Sequence, residues 1–317
     1  MKEIGVNGLD ANQPHASRHK KTQFSRRRLQ ANLEGYLFAA PWLIGFFVFV
    51  FVPFFSSFWY SLNQWDMVTP MRFVGAQNYI RLFQNDIFWK STQVTLAYAA
   101  MSLPATLALA MLLALLVNRQ NPLTLFFRGV FFIPAVASGV AIAVLWRWLF
   151  NPEFGLINYA LSLIGIEGPM WLASERWALP AMAIMALWGV GATMLIYLAG
   201  LQSVPQHLYE AADLDGANKI QSLWHVTLPM MSPTIFYTIV LGVIGALQVF
   251  TQAYVMTRGG PNFATYFYVY NLYEEAFVKF RMGYASALAW VLFIAILVLT
   301  LVQFRLAGRW VYYEAGD

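Results

Sequence analysis

The sequence predicts an all-α integral membrane protein with six transmembrane helices. Hydrophobic residues make up 59% of its 317 positions, and charged residues make up only 11%. A soluble domain carries about 25% charged residues, so this chain is too apolar for that class. It also contains six long stretches without Asp, Glu, Lys or Arg. Because a spanning helix needs about 20 mostly apolar residues, these stretches predict one bundle of membrane helices.

The predicted spans follow the charge-free stretches in chain order. Their approximate bounds are 36–62, 93–118, 129–150, 177–202, 230–257 and 282–304. The third stretch is the shortest and reaches full length only by including Arg147. Prolines inside several spans are compatible with helices, because neighbouring groups in a bundle satisfy the freed carbonyls. The first span exceeds the apolar core of a signal peptide, about 7–15 residues, so we expect it to remain uncleaved.

Basic residues outside the spans predict the orientation. Residues 1–34 form a polar tail, and this tail holds seven of the 20 Lys and Arg residues before residue 29. An excess of Lys and Arg marks the cytoplasmic side, so we expect both the N-terminus and the tail 311–317 in the cytoplasm. The basic cluster is typical of a topology signal that contacts anionic lipid. We therefore predict a multi-pass membrane protein that binds no nucleic acid.

The sequence lacks the motifs of common catalytic sites. It has no phosphate-binding loop, so we expect no ATP hydrolysis from this chain. It has no G-x-S-x-G nucleophile turn either, although the sequence leaves a Ser-His-Asp arrangement open. It contains no cysteine, and its paired histidines, His15 and His19, lack a third metal ligand. The spans contain no acidic or basic relay of the kind used in proton-coupled transport. We predict no bound metal or cofactor and no catalytic residue.

A polar segment between the fourth and fifth spans, 203–229, predicts a helical hairpin. Ser203 and Pro205 suit the start of a first helix, and Gly216 suits its end. A second short helix is expected from Ala217 to Val226, with Pro229 ending it. In the predicted orientation this hairpin faces the cytoplasm.

The first helix of the hairpin combines small and acidic side chains. Ala211 and Ala212 would let another protein surface approach closely, while Glu210 and Asp213 share a face at i, i+3 spacing. The residues alone leave two interpretations open for the acids. They meet a basic pocket on a partner, or they complement the helix N-terminus in water. A hairpin packed under its own bundle would instead bury its leucines, namely Leu208, Leu214 and Leu223.

The stretch EAADLDGANKIQSLWHVTLP closely resembles the EAA loop of ABC-importer permease subunits. The family pattern is E-A-A, then glycine, then an apolar residue and L-P. The matching residues are Glu210, Ala211, Ala212, Gly216, Leu228 and Pro229. Three flanking segments resemble the carbohydrate branch, with its maltose, glycerol-phosphate and multiple-sugar types: Phe73–Phe83, Trp188–Ala212 and Tyr254–Thr265. The resemblance extends from about residue 36 to the C-terminus.

This resemblance implies a type I ABC-importer permease fold over about residues 35–310, with 203–229 as a coupling loop. By analogy, Glu210 and Asp213 contact a cytoplasmic ATPase, and Ala211 and Ala212 permit its close approach. Gly216 makes the turn, and Leu228 and Pro229 join the hairpin to the fifth span. The implied partners are two ATPase subunits that bind ATP and Mg, a second and non-identical permease, and an extracytoplasmic solute-binding protein. The implied activity is import of a mono- or oligosaccharide by alternating access.

The resemblance also directs attention to neutral residues of the fourth and fifth spans. Sugars are recognised by aromatic faces and neutral hydrogen-bonding groups. The expected substrate pathway therefore contains Trp188, Gly189, Gln248, Val249, Phe250 and Gln252. The expected outer mouth contains Tyr254, Gly259, Gly260 and Pro261. As an alternative, a glutamine in a span bonds a neighbouring helix.

Two other functions remain as alternatives. The chain could be an ABC permease for a non-sugar solute such as an amino acid or phosphate. An anion would more naturally use helix N-termini or an arginine, whereas the spans are neutral. The chain could also be a membrane enzyme or a scaffold for a soluble partner. The absence of clustered catalytic groups disfavours the enzyme.

Overall fold

The computed structural model describes residues 26–119 and 121–312, with side chains from Glu34 onward. Most of the predicted basic tail, including His15 and His19, lies outside the described residues. The end of the predicted C-terminal tail does so too.

Helices account for most of the described residues, and the two strands found among them are only two residues long. The strands are β1 (Asn63–Gln64) and β2 (Arg72–Phe73). The helices are α1 (Arg26–Phe46), α2 (Val52–Ser61), α3 (Gln77–Phe83), α4 (Asp86–Leu116), α5 (Pro122–Val136), α6 (Gly139–Leu149), α7 (Leu156–Leu163), α8 (Ala178–Leu187), α9 (Gly191–Ser203), α10 (Gln206–Leu214), α11 (Lys219–Ser222), α12 (Leu228–Met230), α13 (Ser232–Leu247), α14 (Tyr268–Tyr273) and α15 (Met282–Ala307).

Three continuous helices are long and apolar enough to cross a membrane: Glu34–Ser61, Asp86–Leu116 and Met282–Ala307. Three bent helix pairs have the same potential, namely α5 with α6, α8 with α9, and Lys219–Met230 with α13. Within the described residues this makes up to six spans, if each bent pair counts as one.

Contacts divide the chain into two units, Met1–Phe55 and Ser56–Asp317. The described part of the first unit is α1, the π-helical turn Phe47–Phe51 and the start of α2. In the π-helical turn the Val52 N–H bonds the Phe47 carbonyl, five residues back. The next residue is a proline, which has no N–H to donate, so a widened turn at this place loses little hydrogen bonding.

In the second unit α4 is the central helix, and it packs against α8, α9, α13 and α14. Its buried face combines alanine with small polar residues, which lets the neighbouring helices approach closely. Hydroxyl groups join the elements across the bundle. The Thr95 hydroxyl accepts the backbone N–H of Tyr268 at 2.9 Å, and the Tyr268 hydroxyl donates to the Leu288 carbonyl at 2.8 Å. Tyr197 and Thr238 share a hydrogen bond of 2.7 Å.

The third predicted span is not one straight helix. Its two halves, α5 and α6, meet at an angle of 100°. Ala137 and Ser138 have extended backbones with ψ of 147° and 133°, just after Pro134 in the last turn of α5. Because proline cannot donate its backbone N–H, it weakens the end of the helix where the chain turns.

The fourth and fifth predicted spans are also interrupted. The fourth bends by 45° between Leu187 and Gly191. The fifth is expected to run to Thr257, but its helix ends at Leu247, and a separate π-helical turn covers Ala253–Thr257. Two glycines in the final turns of α13 lower its helix propensity near this break.

A compact set of short elements covers the end of the bundle where α4 and α15 begin. The strands β1 and β2 pair antiparallel, and α3 follows them. The Asn78 amide donates to the carbonyls of Ser61 and Asn63 at 2.8 and 2.9 Å. Gly283 lies against the Asn63 carbonyl, where a Cβ atom would collide. The segment between the first two predicted spans therefore holds a strand pair and one short helix, α3.

Candidate functional site

The segment 203–230, the interspan hairpin, has two helices joined at Gly216. Gly216 has a φ of +77°. Its N–H bonds the Asp213 carbonyl at 3.1 Å, and the Ala217 N–H bonds the Ala212 carbonyl at 2.9 Å. This left-handed glycine end is the Schellman arrangement, so the predicted helix stop is confirmed.

The start of each hairpin helix differs from the expectation. Ser203 is the last residue of α9, and its hydroxyl donates to the Gly200 carbonyl at 2.8 Å, so its predicted capping role is wrong. The second helix has a capping box that we did not predict. Asn218 accepts the N–H groups of Ile220 and Gln221 at 3.0 Å, and the Gln221 side chain accepts the Asn218 N–H at 2.8 Å. The N-x-x-Q spacing was the available signal.

The hairpin presents acidic and large apolar side chains together. Glu210, Ala211 and Asp213 are exposed, whereas Ala212 is half-buried. Leu214 is 89% exposed, which contradicts the alternative that it packs beneath the bundle. Ile220 and Trp224 are also exposed. These groups lie outside the predicted spans, so the hairpin has large apolar side chains that a partner could cover.

Between the two helices of the hairpin is a groove of about 450 Å³. Ala211, Ala212 and Gly216 line it, whereas Glu210 and Asp213 lie outside it. A hydrogen bond of 3.0 Å between the hydroxyls of Tyr209 and Thr227 ties α10 to the second half of the hairpin. The small residues therefore help to shape the groove, and the one acid that lines it is Asp215.

We had expected Pro229 to end the second helix, but the helix continues past it. The helix passes through the π-helical turn Leu223–Thr227 and continues to Met230, and only then does the chain bend by 66° into α13. The wide turn places Pro229 where its missing N–H costs little. We call the bend at Met231 and Ser232 the elbow.

Ser232 holds the elbow from two sides. Its hydroxyl donates to the Pro229 carbonyl at 2.6 Å and accepts the backbone N–H of Tyr312 at 2.8 Å. Nearby, the Phe236 ring meets the rings of Phe304 and Trp310 edge to face. The residues after α15 thus fasten to the junction between the hairpin and α13.

A second candidate site is a cavity of about 330 Å³ between α4, α6, α8 and α13, which we call the membrane cavity. Four of the six predicted pathway residues line it: Trp188, Gly189, Val249 and Gln252. The other two do not. Gln248 is exposed just after α13, and Phe250 packs against the rings of Tyr254 and Tyr273.

The membrane cavity also has lining residues that we did not predict on α4. Tyr98, Ser102 and Thr106 follow one another at intervals of four residues and share one helix face. The Ser102 hydroxyl donates to the Tyr98 carbonyl at 2.8 Å, and the Thr106 hydroxyl donates to the Ser102 carbonyl at 2.9 Å. Because both hydroxyl protons are donated to carbonyls of the same helix, the oxygens of Ser102 and Thr106 can still accept hydrogen bonds from a ligand. The i, i+4, i+8 polar spacing was the signal that could have identified this face.

The break in the fourth span positions one wall of the membrane cavity. Trp188 and Gly189 lie in the turn between α8 and α9, and the Trp188 ring meets Trp146 edge to face at 5.9 Å. Gly191, which begins α9, lies against the backbone of Phe131 on α5. A Cβ atom at Gly191 would collide with the Phe131 carbonyl, so glycine is required for the two bent spans to touch.

The predicted outer-mouth residues form a tight turn after the fifth span. Gly259 has a φ of +82° and lies against the Tyr266 ring, which leaves no room for a side chain. The Thr265 hydroxyl donates to the Gly260 carbonyl at 2.7 Å. Gly260 and Pro261 line a cavity of about 360 Å³ with Arg147. Tyr254 is 45% exposed and stacks on Phe250.

Tyr266 fixes this turn to the chain that follows. Its hydroxyl donates to the Glu274 carboxylate at 2.6 Å. Burial, together with that carboxylate, raises the pKa of Tyr266 well above its usual range. The hydroxyl therefore stays protonated and keeps donating at physiological pH.

Comparisons with known proteins agree on the kind of protein. The family model described as "Binding-protein-dependent transport system inner membrane component" matches residues 106–311. The probable ABC transporter permease protein YesP of Bacillus subtilis is 36% identical over 298 residues, covering 92% of this chain and 96% of YesP. The trehalose/maltose transport system permease protein MalF of Thermococcus litoralis is 34% identical over 283 residues, covering 87% of this chain and 93% of MalF.

The fold matches that of a solved transporter. A bacterial alginate ABC transporter, in complex with an alginate pentasaccharide-bound periplasmic protein, has a chain with a TM-score of 0.80 at 23% identity. The match covers 90% of this chain and 98% of that one. The predicted all-α permease fold is thereby confirmed. The chain belongs to the family of inner membrane components of binding-protein-dependent transport systems.

Proposed function

We propose that this chain is the permease subunit of an ATP-driven importer that moves a carbohydrate by alternating access. The observation that carries the proposal is the membrane cavity. Its lining combines the aromatic rings of Trp188 and Tyr98 with hydroxyls and the Gln252 amide, and no lining residue carries a formal charge. Such a surface suits a neutral, hydroxyl-rich solute. The names of relatives such as the trehalose/maltose permease support the same class.

Energy enters, in this proposal, through the interspan hairpin. A cleft on a cytoplasmic ATPase would receive α10, with Leu214 and Ile220 buried in the contact and Glu210 and Asp213 paired with basic groups at its edge. The elbow would then pass the motion of the hairpin to α13, whose last turns line the membrane cavity. The bond from Ser232 to Tyr312 would carry part of that motion towards α15.

The proposed assembly contains this chain, a second and non-identical permease, two ATPase subunits and an extracytoplasmic solute-binding protein. The ATPase subunits, and not this chain, would bind ATP and Mg. The hairpin and both termini would face the cytoplasm, as the basic residues near the N-terminus favour. The turn at Gly259–Pro261 would then lie at the outer mouth.

Charge reversal in the hairpin tests the coupling role. We expect Glu210→Lys to abolish uptake in proteoliposomes that hold the complete transporter and to weaken co-purification of the ATPase, because the new cation would repel the basic edge of the cleft. Glu153→Lys is the matched control, since Glu153 is an exposed glutamate outside the hairpin. Full uptake and full ATPase association by Glu210→Lys would contradict the coupling role.

The substrate class needs a separate experiment. Thermal shifts of the solute-binding protein encoded with this permease should identify a neutral mono- or oligosaccharide among sugars, amino acids and phosphate compounds. A charged non-sugar as the preferred ligand would refute the carbohydrate assignment and would leave the permease role intact.

A further inference from the structure

A cavity of about 640 Å³ lies at the end of the bundle opposite the interspan hairpin. We call it the outer cavity. The loop between β1 and β2, α3, the residue that caps α4 and the first turn of α15 surround it. It shares no lining residue with the membrane cavity, which is formed mainly by α4, α8 and α13. A ligand in the outer cavity would therefore bind without occupying the membrane cavity.

Three arginines line the outer cavity: Arg72, Arg81 and Arg281. Arg281 approaches the Glu275 carboxylate at 3.4 Å, and that buried carboxylate also binds Lys279 at 2.7 Å. The side chains of Arg72 and Arg81 make no hydrogen bond or ion pair with any described residue. Two guanidinium groups in one cavity are thus available to a ligand.

The acid in the outer cavity, Asp66, offsets only part of the positive charge of these arginines. One oxygen of Asp66 accepts the Thr69 N–H at 2.7 Å, the Thr69 hydroxyl at 2.8 Å and the Val68 N–H at 3.1 Å. The Thr69 backbone bond, helped by the other two, lowers the pKa of Asp66, which stays ionised but is engaged in its own turn. The lining residues of the outer cavity thus include three guanidinium groups and one carboxylate.

We propose that the outer cavity docks acidic side chains of the external solute-binding protein. A guanidinium group binds a carboxylate with two parallel hydrogen bonds, which gives both attraction and fixed geometry. The protein family depends on a binding protein, and the outer cavity is at the membrane face on which that protein would arrive. This inference rests on the orientation in the proposed function. Long-range attraction to the arginines would speed the encounter and weaken with salt.

The test uses the complete transporter in nanodiscs and the solute-binding protein encoded with it. The measured quantity is the concentration of sugar-loaded binding protein that stimulates ATPase activity to half its maximum. We expect the double variant Arg72→Glu/Arg81→Glu to raise this concentration about tenfold or more at low salt, with an unchanged maximal rate. Arg176→Glu is the matched control, because Arg176 is an exposed arginine on another segment at the same end and lines neither cavity.

Three results would overturn the proposal. The first is an unchanged half-maximal concentration in the double variant. The second is an equal shift in the Arg176→Glu control, and the third is a shift that occurs only in nanodiscs with anionic lipid, which would assign the arginines to lipid headgroups. Should the double variant fail to assemble, Arg72→Gln and Arg81→Gln singly are expected to shift the concentration in the same direction. The proposed assembly itself would be refuted if the wild-type transporter kept its ATPase subunits and its ATPase activity but no binding protein stimulated that activity.

Discussion

The membrane cavity and the outer cavity differ most in charge. The first, about 330 Å³, is lined by aromatic, small and neutral polar side chains. The second, about 640 Å³, is lined by three arginines and an aspartate. A charge is costly where water is scarce and cheap at the surface, so the chain places neutral groups inside the membrane and ionic groups at its face. The comparison teaches that the two cavities are suited to different ligands, one neutral and one anionic.

The largest expected effect comes from a charge placed in the membrane cavity. Val249 lines it at the break after α13. We expect Val249→Asp to reduce uptake at least about a hundredfold, because a charge at membrane depth costs about 2.5–3.5 kcal/mol. Asparagine has nearly the same shape as aspartate but no charge, so Val249→Asn should retain much more uptake than Val249→Asp. Equal uptake by the two variants, measured in proteoliposomes, would show that neutrality of the cavity is unimportant.

A smaller effect is expected from the wall of the membrane cavity. Gly191→Ala would push α9 from the Phe131 backbone, shift the turn that holds Trp188, and cost about 1–3 kcal/mol of stability through overpacking. The measurement is the melting temperature of the detergent-solubilised protein, together with uptake. Gly189→Ala is the control, since a Cβ there meets only the Ala186 carbonyl at 3.7 Å. Similar melting temperatures for the two variants would contradict the close contact of the bent spans.

The smallest effect is expected in the outer cavity. Asp66→Asn removes its negative charge but keeps an oxygen that can accept the bonds from Val68 and Thr69. Without this negative charge the three arginines would attract an acidic partner more strongly, so the half-maximal concentration of binding protein should fall about twofold at low salt. A rise in that concentration would mean that Asp66 itself contacts the partner.

The parts of the fold that depend on local sequence were predictable. Hydropathy identifies six apolar segments, because a membrane helix must satisfy its backbone within one apolar stretch, although it does not give the bends or the end of the fifth helix. Gly216 also identifies its turn by itself, since a left-handed residue at a helix end is usually glycine. Both the apolar segments and the turn at Gly216 can be predicted from neighbouring residues in the sequence alone.

The bends and the outer cavity were not predictable in this way. At the bend of the fourth span Gly191 contacts the backbone of Phe131, and these two residues are distant in sequence. The arginines of the outer cavity come from three segments that only the folded bundle brings together. The same holds for Gln248, whose position in the predicted span suggested the pathway, but which follows the end of α13 and does not line the membrane cavity.

The hydrogen bond between Ser232 and Tyr312 also determines when the elbow can be completed during synthesis of the chain. Its hydroxyl accepts the N–H of Tyr312, which follows the last span. The ribosome makes Ser232 long before Tyr312, so the elbow lacks this bond until the sixth span has been produced and inserted. The junction between hairpin and bundle is therefore completed late in biogenesis, when the neighbouring helices are already in the membrane.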